Sequence, residues 1–164
     1  MGIATFPAAA GSSVPNWVLL QTSTPSGVAT VTFSGLSGYS KYRILAQNIV
    51  ASSGTSTITL NGDSSTHYSY ARVFGAATSP SITVNASGIA TGAADTTPAY
   101  DLQIDNALIL TPKTFQGWIA EGATNASLLL HLNGVYQTTS ALTSITITRS
   151  ANFTSGSIYL LGAN

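Results

Sequence analysis

The sequence contains no cysteine and very little charge. Its 164 residues include five Lys or Arg and five Asp or Glu, so charged residues make up 6% of the chain, against about 25% in ordinary soluble domains. The absence of cysteine excludes disulfides and thiolate metal sites. A formal net charge of zero without a basic cluster argues against binding to nucleic-acid phosphates. No apolar run could span a bilayer and the amino end lacks a secretion signal, so we expect cytoplasmic synthesis and no membrane partner.

This scarcity of charge leads to an expectation about the surface. A compact monomer of 16.7 kDa exposes roughly 7,600 Å², and one partner in a standard interface contributes about 800 Å². A patch of that size holds about one of the formal charges, so covering it desolvates few ions. The composition therefore favours a protein that assembles with neighbours. A monomer covered by Ser and Thr is the competing interpretation.

Short alternating segments predict an all-β fold. Residues 28–33 place Ala29, Val31 and Phe33 on one face, as in a half-buried strand. Similar strand patterns occur at 17–20, 41–50, 56–60, 68–74, 82–84, 100–110, 114–120, 127–132, 142–148 and 157–161. Many short strands without an amphipathic helix predict an antiparallel two-sheet β-sandwich or a barrel over residues 17–164, and we favour the sandwich, jelly-roll-like. Residues 85–98 are expected to form a long loop or an outlying ribbon.

The clearest local signal lies at residues 60–74. Two strand patterns flank Asn61-Gly62, a pair that tolerates positive φ, and the side chain of Asp63 can bond to nearby backbone amides. This pattern predicts a β-hairpin with a loop longer than the tightest type.

Residues 1–16 are rich in Ala, Gly, Ser and Pro and predict an extended amino-terminal arm. Such an arm needs a neighbouring surface to order it, because its own side chains cannot form a core. The residues expected to contact a neighbouring partner protein are Ile3, Phe6, Pro7, Val14 and Trp17.

Few residues are available for catalysis or metal binding. His67 could join an Asp and a Ser in a triad, but no nucleophile-elbow pattern is present. Glycoside hydrolysis would require two of five scattered acids to converge. Asn61 and Asp63 could ligate calcium, although a turn explains the same residues. We therefore expect no enzyme, no metal and no cofactor, and expect the Tyr and Trp residues to pack in a core or interface rather than on sugars.

Several segments share a pattern of turns and strand ends. They are Trp-Val-Leu-Leu at 17–20, Val-Thr-Phe-Ser-Gly-Leu-Ser-Gly-Tyr at 31–39 with Tyr42-Arg43, Leu-Asn-Gly-Asp at 60–63 with Tyr68-Ser69-Tyr70, and Phe-Thr-Ser-Gly-Ser-Ile-Tyr-Leu-Leu-Gly at 153–162. Together they resemble a family of small β-sandwich virion proteins of tailed bacteriophages, which serve as head decoration (cement), tail or fibre components. The resemblance covers most of residues 17–162 and implies a non-enzymatic homotrimer, with no catalytic residues to transfer.

The resemblance and the low charge lead to one functional expectation. The chain is expected to be a capsid decoration (cement) protein on the virion exterior, which binds the major capsid protein and stabilises the shell. The alternative is a tail-fibre or receptor-binding module that recognises bacterial surface glycans, and a free polysaccharide-active enzyme is a third class. The residues expected at a trimer or glycan contact are His67, Tyr68, Tyr70 and Trp118.

Overall fold

A computed structural model describes residues 15–74, 80–90, 96–123 and 126–164. These residues form eleven β-strands and no helix, so the all-β prediction is confirmed. The strands are β1 (Val18–Ser23), β2 (Val28–Ser34), β3 (Lys41–Ala51), β4 (Ser56–Leu60), β5 (Tyr68–Phe74), β6 (Ser81–Ala86), β7 (Ile89–Ala90), β8 (Ala99–Asp105), β9 (Lys113–Ala123), β10 (Ala126–Tyr136) and β11 (Ser144–Ala163).

The last strand organises the sheet. All pairs are antiparallel, in the order β6-β5-β10-β9-β8-β3-β11-β4-β7, and β1 and β2 also pair with β11. Residues 144–149 of β11 lie between β2 and β4, whereas residues 153–163 lie mainly between β1 and β3. The register against β2 shifts between residues 148 and 153, and the register against β3 shifts again between residues 153 and 157, where Gly156 has a φ of 112°. One strand therefore serves two sets of neighbours by bending at an irregular stretch.

The two ends of this sheet meet, which makes it nearly barrel-shaped. The backbone N–H of Leu60 on β4 donates to the hydroxyl of Tyr68 on β5 at 2.8 Å. The backbone N–H of Ala90 on β7 donates to the hydroxyl of Tyr70 on β5 at 3.3 Å. Through these two bonds β5 contacts β4 and β7, although it forms no backbone ladder with either strand. The antiparallel prediction is confirmed, and the division into two jelly-roll sheets stays a prediction.

Alternation along the strands builds a shared core. On β3, Tyr42, Ile44 and Ala46 point inward, while the residues between them are partly exposed. The same two-residue period buries Val31 and Phe33 on β2, as the sequence predicts. Side chains on the opposite face of each strand are therefore free to form a site.

The predicted hairpin at 60–74 is wrong in its pairing, although both strands and the turn are present. Asn61 and Gly62 have φ of 57° and 65°, but β4 pairs with β11 and β7, and β5 pairs with β10 and β6. The side chain of Asn61 explains the difference. Its Oδ1 accepts the backbone N–H of Thr143 at 2.7 Å and its Nδ2 donates to the carbonyl of Ala141 at 2.9 Å, which anchors the turn to the segment before β11.

Three predicted boundaries also differ. Residues 142–148 and 157–161 contribute to one strand rather than two. β8 ends at Asp105, so the residues that follow belong to a loop. β10 continues through Asn133-Gly134, because these residues pair with β9 on one side and β5 on the other. Ladder bonds on both sides outweigh the local turn preference of Asn-Gly.

Candidate functional site

Polar and aromatic side chains cover the outer face of β3, β8, β9 and β10. They occupy the positions that alternate with the buried core residues on these strands. The outward residues are Arg43 on β3, Asp101 and Gln103 on β8, Gln116 and Trp118 on β9, and His131 and Asn133 on β10. We call this surface the Trp118 face.

The strand register arranges these residues in two rows. In the first row, Trp118 lies opposite Asp101 on one side and His131 on the other. The second row consists of Gln103, Gln116 and Asn133. Directly opposed residues have Cβ atoms about 4.5–5.5 Å apart, so their side chains form a continuous surface.

Arg43 and Asp101 form a two-pronged ion pair at one side of the face. Nε of Arg43 donates to Oδ1 of Asp101 at 2.7 Å, and Nη2 donates to Oδ2 at 2.6 Å. The hydrogen bond to Asp101 raises the pKa of Arg43. The Arg43 guanidinium carbon also lies 5.9 Å from the ring centroid of Trp17, within cation–π range. The charges of this pair therefore largely cancel within the chain.

A second pair lies next to the first. Nζ of Lys41 is 3.3 Å from Oδ1 of Asp105. Nε2 of Gln103 also donates to the two carboxylate oxygens of Asp105, at 3.0 and 3.1 Å. This side of the sheet thus combines polar character with paired charges.

Trp118 is the exposed aromatic residue of the face. Half of the residue is accessible (50%), and its ring centroid lies 4.5 Å from that of His131. Within the described residues, neither its indole N–H nor the amide of Gln116 has a hydrogen-bond partner. The depression beside the ring has a volume of about 400 Å³ and is lined by Arg43, Asp101, Gln103, Gln116, Trp118 and His131. The face can therefore offer a ligand both an apolar ring and open polar groups.

The loop between β4 and β5 contains a separate polar cluster. Oδ2 of Asp63 accepts hydrogen bonds from Nδ1 of His67 at 2.7 Å and from the hydroxyl of Tyr136 at 3.0 Å. The bond with His67 is the main cause that lowers the pKa of Asp63 to about 2. In the part of the chain that the structure describes, no hydroxyl bonds to the other ring nitrogen of His67. The arrangement orders the loop and lacks the third member of a triad.

The structure places the four predicted trimer or glycan residues in different environments. His67 and Trp118 are exposed, His67 by 46% of its side chain, but they lie in separate clusters. Tyr68 and Tyr70 are buried, at 0% and 5%. The Tyr68 ring stacks on Tyr136 with 4.7 Å between centroids, and burial raises the pKa of the Tyr68 hydroxyl. The two tyrosines use their rings inside the fold, so we exclude them from the site.

The predicted capsid-contact residues are mostly outside the described residues. Ile3, Phe6, Pro7 and Val14 belong to residues 1–14, for which the structure gives no description. Trp17 is described, is partly buried and packs against Arg43 at the margin of the Trp118 face.

Sequence reasoning missed the polar residues around Trp118. A signal was present, because Asp101, Gln103 and Asp105 alternate on β8, and Gln116 and Trp118 alternate on β9. The hairpin whose loop spans residues 106–112 aligns these two series. The contributions of β3 and β10 depend on strand pairing, which the alternation does not reveal.

The loop between β8 and β9 presents three exposed apolar side chains, Leu108, Ile109 and Leu110. Lys113 is fully buried behind them, and its Nζ donates to the carbonyls of Ile109 at 2.7 Å and Thr111 at 2.5 Å. Burial lowers the pKa of Lys113. The buried ammonium therefore fixes the loop in a shape that keeps the apolar side chains outside.

Within residues 15–74, 80–90, 96–123 and 126–164, no cluster of three or more His, Asp or Glu side chains could hold a metal ion. The same residues contain no helix of sufficient length and apolar character to cross a membrane. Comparisons of this chain with protein-family models, curated proteins and solved structures find no match.

Proposed function

We propose that this chain is a non-enzymatic structural protein of a tailed-bacteriophage virion. In this proposal it decorates the outside of the capsid as a homotrimer and stabilises the shell by binding the major capsid protein. The observation that carries the proposal is the burial and pairing of the charged side chains. Every formal charge with a described side chain is buried or engaged with another group of the same chain.

The exposed charges are engaged mainly by ion pairing. The pairs are Lys41 with Asp105 and Arg43 with Asp101, and Asp63 is held by a hydrogen bond to His67. Arg72 lies over Tyr70, with its guanidinium carbon 5.5 Å from the ring centroid. Lys113 and Arg149 are buried. The described surface thus offers little charge that a partner would have to neutralise.

Paired charges reduce the free energy needed to cover this surface. An isolated ion that loses its water costs several kcal/mol, whereas an ion that already has a partner depends less on hydration. The apolar side chains at 108–110 add area whose burial is favourable, at about 25 cal/mol per Å². The surface around Lys41, Asp105 and residues 108–110 can therefore form an interface without matching ions on the neighbouring subunit.

The sequence-based division of the chain completes the proposal. Residues 17–164 would form the jelly-roll-like domain, and residues 1–16 the arm that reaches the capsid protein. The contacts of the arm would be made by Ile3, Phe6, Pro7, Val14 and Trp17. An additional tethered contact raises the overall affinity without a larger central interface.

Counting copies of the chain in purified particles of the phage that encodes it tests the proposal. Mass spectrometry, calibrated on the major capsid protein, should give hundreds of copies per particle, with a specific label on the head. A variant without residues 1–16 should form the same oligomer but fail to attach to emptied heads. A handful of copies at the tail would favour the tail-fibre alternative, and absence from particles would contradict both.

A further inference from the structure

We propose that the Trp118 face binds a neutral oligosaccharide, with one sugar ring stacked on the indole of Trp118 and its hydroxyl groups bonded to Gln116 and to the Arg43–Asp101 pair. This inference does not depend on the virion role proposed above. It concerns what this outer face can recognise.

The indole is positioned for stacking. Trp118 lies on β9 between two paired strands, so ladder bonds on both sides fix its backbone. Half of the residue is exposed, and His131 supports the ring at 4.5 Å between centroids. A pyranose presents C–H groups on its ring faces and hydroxyls at its rim. The exposed ring can cover such a C–H face, which removes apolar surface from water on both partners.

Polar groups lie where the rim of a stacked sugar would reach. Gln116 precedes Trp118 by two residues on the same strand, and Asp101 lies directly opposite Trp118. The amide of Gln116 has no partner within the described residues and offers both a donor and an acceptor. Arg43 uses Nε and Nη2 for Asp101, which leaves its Nη1 for a hydroxyl oxygen. Hydroxyl groups, which donate and accept, match this mixed set.

The charges of the face favour a neutral ligand. The Arg43–Asp101 pair is held by two hydrogen bonds, and Asp105 is engaged by Lys41 and Gln103. An anionic or cationic ligand would have to compete with one of these partners. If a flat apolar protein surface covered this face, the polar groups of the two rows would be buried without hydrogen bonds. Each such group would cost about 1–3 kcal/mol. The depression of about 400 Å³ lies within the usual range of ligand sites, about 300–1,000 Å³.

A glycan array tests the inference with the full chain. The array should carry neutral oligosaccharides of glucose, galactose, mannose and N-acetylhexosamines, with sialylated and sulfated versions as charged comparators. We expect retention on at least one neutral glycan. Trp118→Ala and Gln116→Ala should each lower the apparent affinity for that glycan at least tenfold. The matched controls Ile82→Ala and Gln137→Ala, which alter exposed residues off this face, should stay within twofold of the unmodified chain.

Two further measurements separate binding from folding and from assembly. The melting temperature of Trp118→Ala, followed by circular dichroism, should lie within a few degrees of that of the unmodified chain, because the residue is half exposed. In nuclear magnetic resonance spectra, the indole N–H signal of Trp118 should shift when the retained glycan is added. The inference is overturned if no neutral glycan is retained, if only charged glycans bind, or if both site variants bind like their controls. A loss of oligomer mass in Trp118→Ala would also overturn it, because the face would then be a subunit contact.

Discussion

At the scale of single residues, Arg149 shows how the fold holds a buried guanidinium by hydrogen bonds. It is buried on β11, where Nη1 donates to Oγ of Ser56 and Nη2 to the carbonyl of Gly54, both at 2.8 Å. The guanidinium carbon lies 5.7 Å from the ring centroid of Phe153. The planar fork of Arg can serve both acceptors at once, whereas the single ammonium of Lys cannot reproduce this geometry. The charge therefore joins β11 to the loop before β4.

Asp63 makes stability depend on pH at the same scale. Its pKa in the folded chain is about 2, below the ordinary value of 3.8, mainly because of His67. The folded chain thus binds this proton less readily than the unfolded chain. The stability supplied by Asp63 is fully present above about pH 4 and is lost as the pH falls through about 2.

Replacing Asp63 by Asn should remove this dependence. Between about pH 5 and pH 2, we expect the free energy of unfolding of the unmodified chain to fall by about 1–2 kcal/mol more than that of Asp63→Asn. This range discounts the full shift because His67 is half exposed. Urea denaturation of both proteins at each pH measures the difference. Parallel pH profiles would show that the carboxylate does not stabilise the loop.

At the scale of the strands, Asn61 determines how β4 ends. Asn61→Ala loses the bonds to the backbone of Thr143 and Ala141 and also places Ala at a φ of 57°. We expect the free energy of unfolding to fall by about 3–4 kcal/mol, since the strained φ costs about 1–2 kcal/mol and each of the two lost bonds about 1.

Asn85 provides a matched control for this substitution. It has a similar φ of 54°, but its side chain has no hydrogen-bond partner within the described residues. Asn85→Ala should therefore show the cost of φ alone, about 1–2 kcal/mol. Urea denaturation of both variants at one pH measures the two losses. Equal losses would mean that the Asn61 bonds do not anchor the turn.

The strands themselves could be predicted from the sequence, but several of their partners could not. A two-residue period identifies which side chains share a face, as Val31 and Phe33 do, because this depends only on the local backbone. Pairing depends on distant residues. Asn61-Gly62 has the backbone of a hairpin turn, yet Thr143, which is 82 residues away, determines where the turn is bound.

For the candidate site too, the sequence predicts which residues share a strand face but not which strands lie side by side. The two-residue period places Tyr68 and Tyr70 on one face of β5, but it does not tell whether that face points inward, and both residues are buried. Trp118 was selected as an aromatic contact and is exposed. Its neighbours Arg43 and His131 became visible only through pairing across four strands. The two-residue period therefore predicts which side chains share a face of one strand. A site that spans several strands can be predicted only when the pairing of those strands is known.

At the scale of the whole molecule, the central claim that we propose is that much of the exterior, apart from the Trp118 face, is covered by other subunits. The described charges are buried or engaged with other groups of the chain, and apolar side chains such as Leu110, which is 75% exposed, remain at the surface. An interface formed mainly by apolar and neutral polar contacts should be insensitive to salt, because ionic screening weakens only charge–charge attraction.

Sedimentation equilibrium of the purified chain, at physiological salt and at high salt, tests this claim most directly. The proposed homotrimer predicts a mass three times that of the 16.7 kDa chain, unchanged between the two salt concentrations. A species with the mass of one chain at both salt concentrations would contradict the claim, and so would a trimer that dissociates when salt is added.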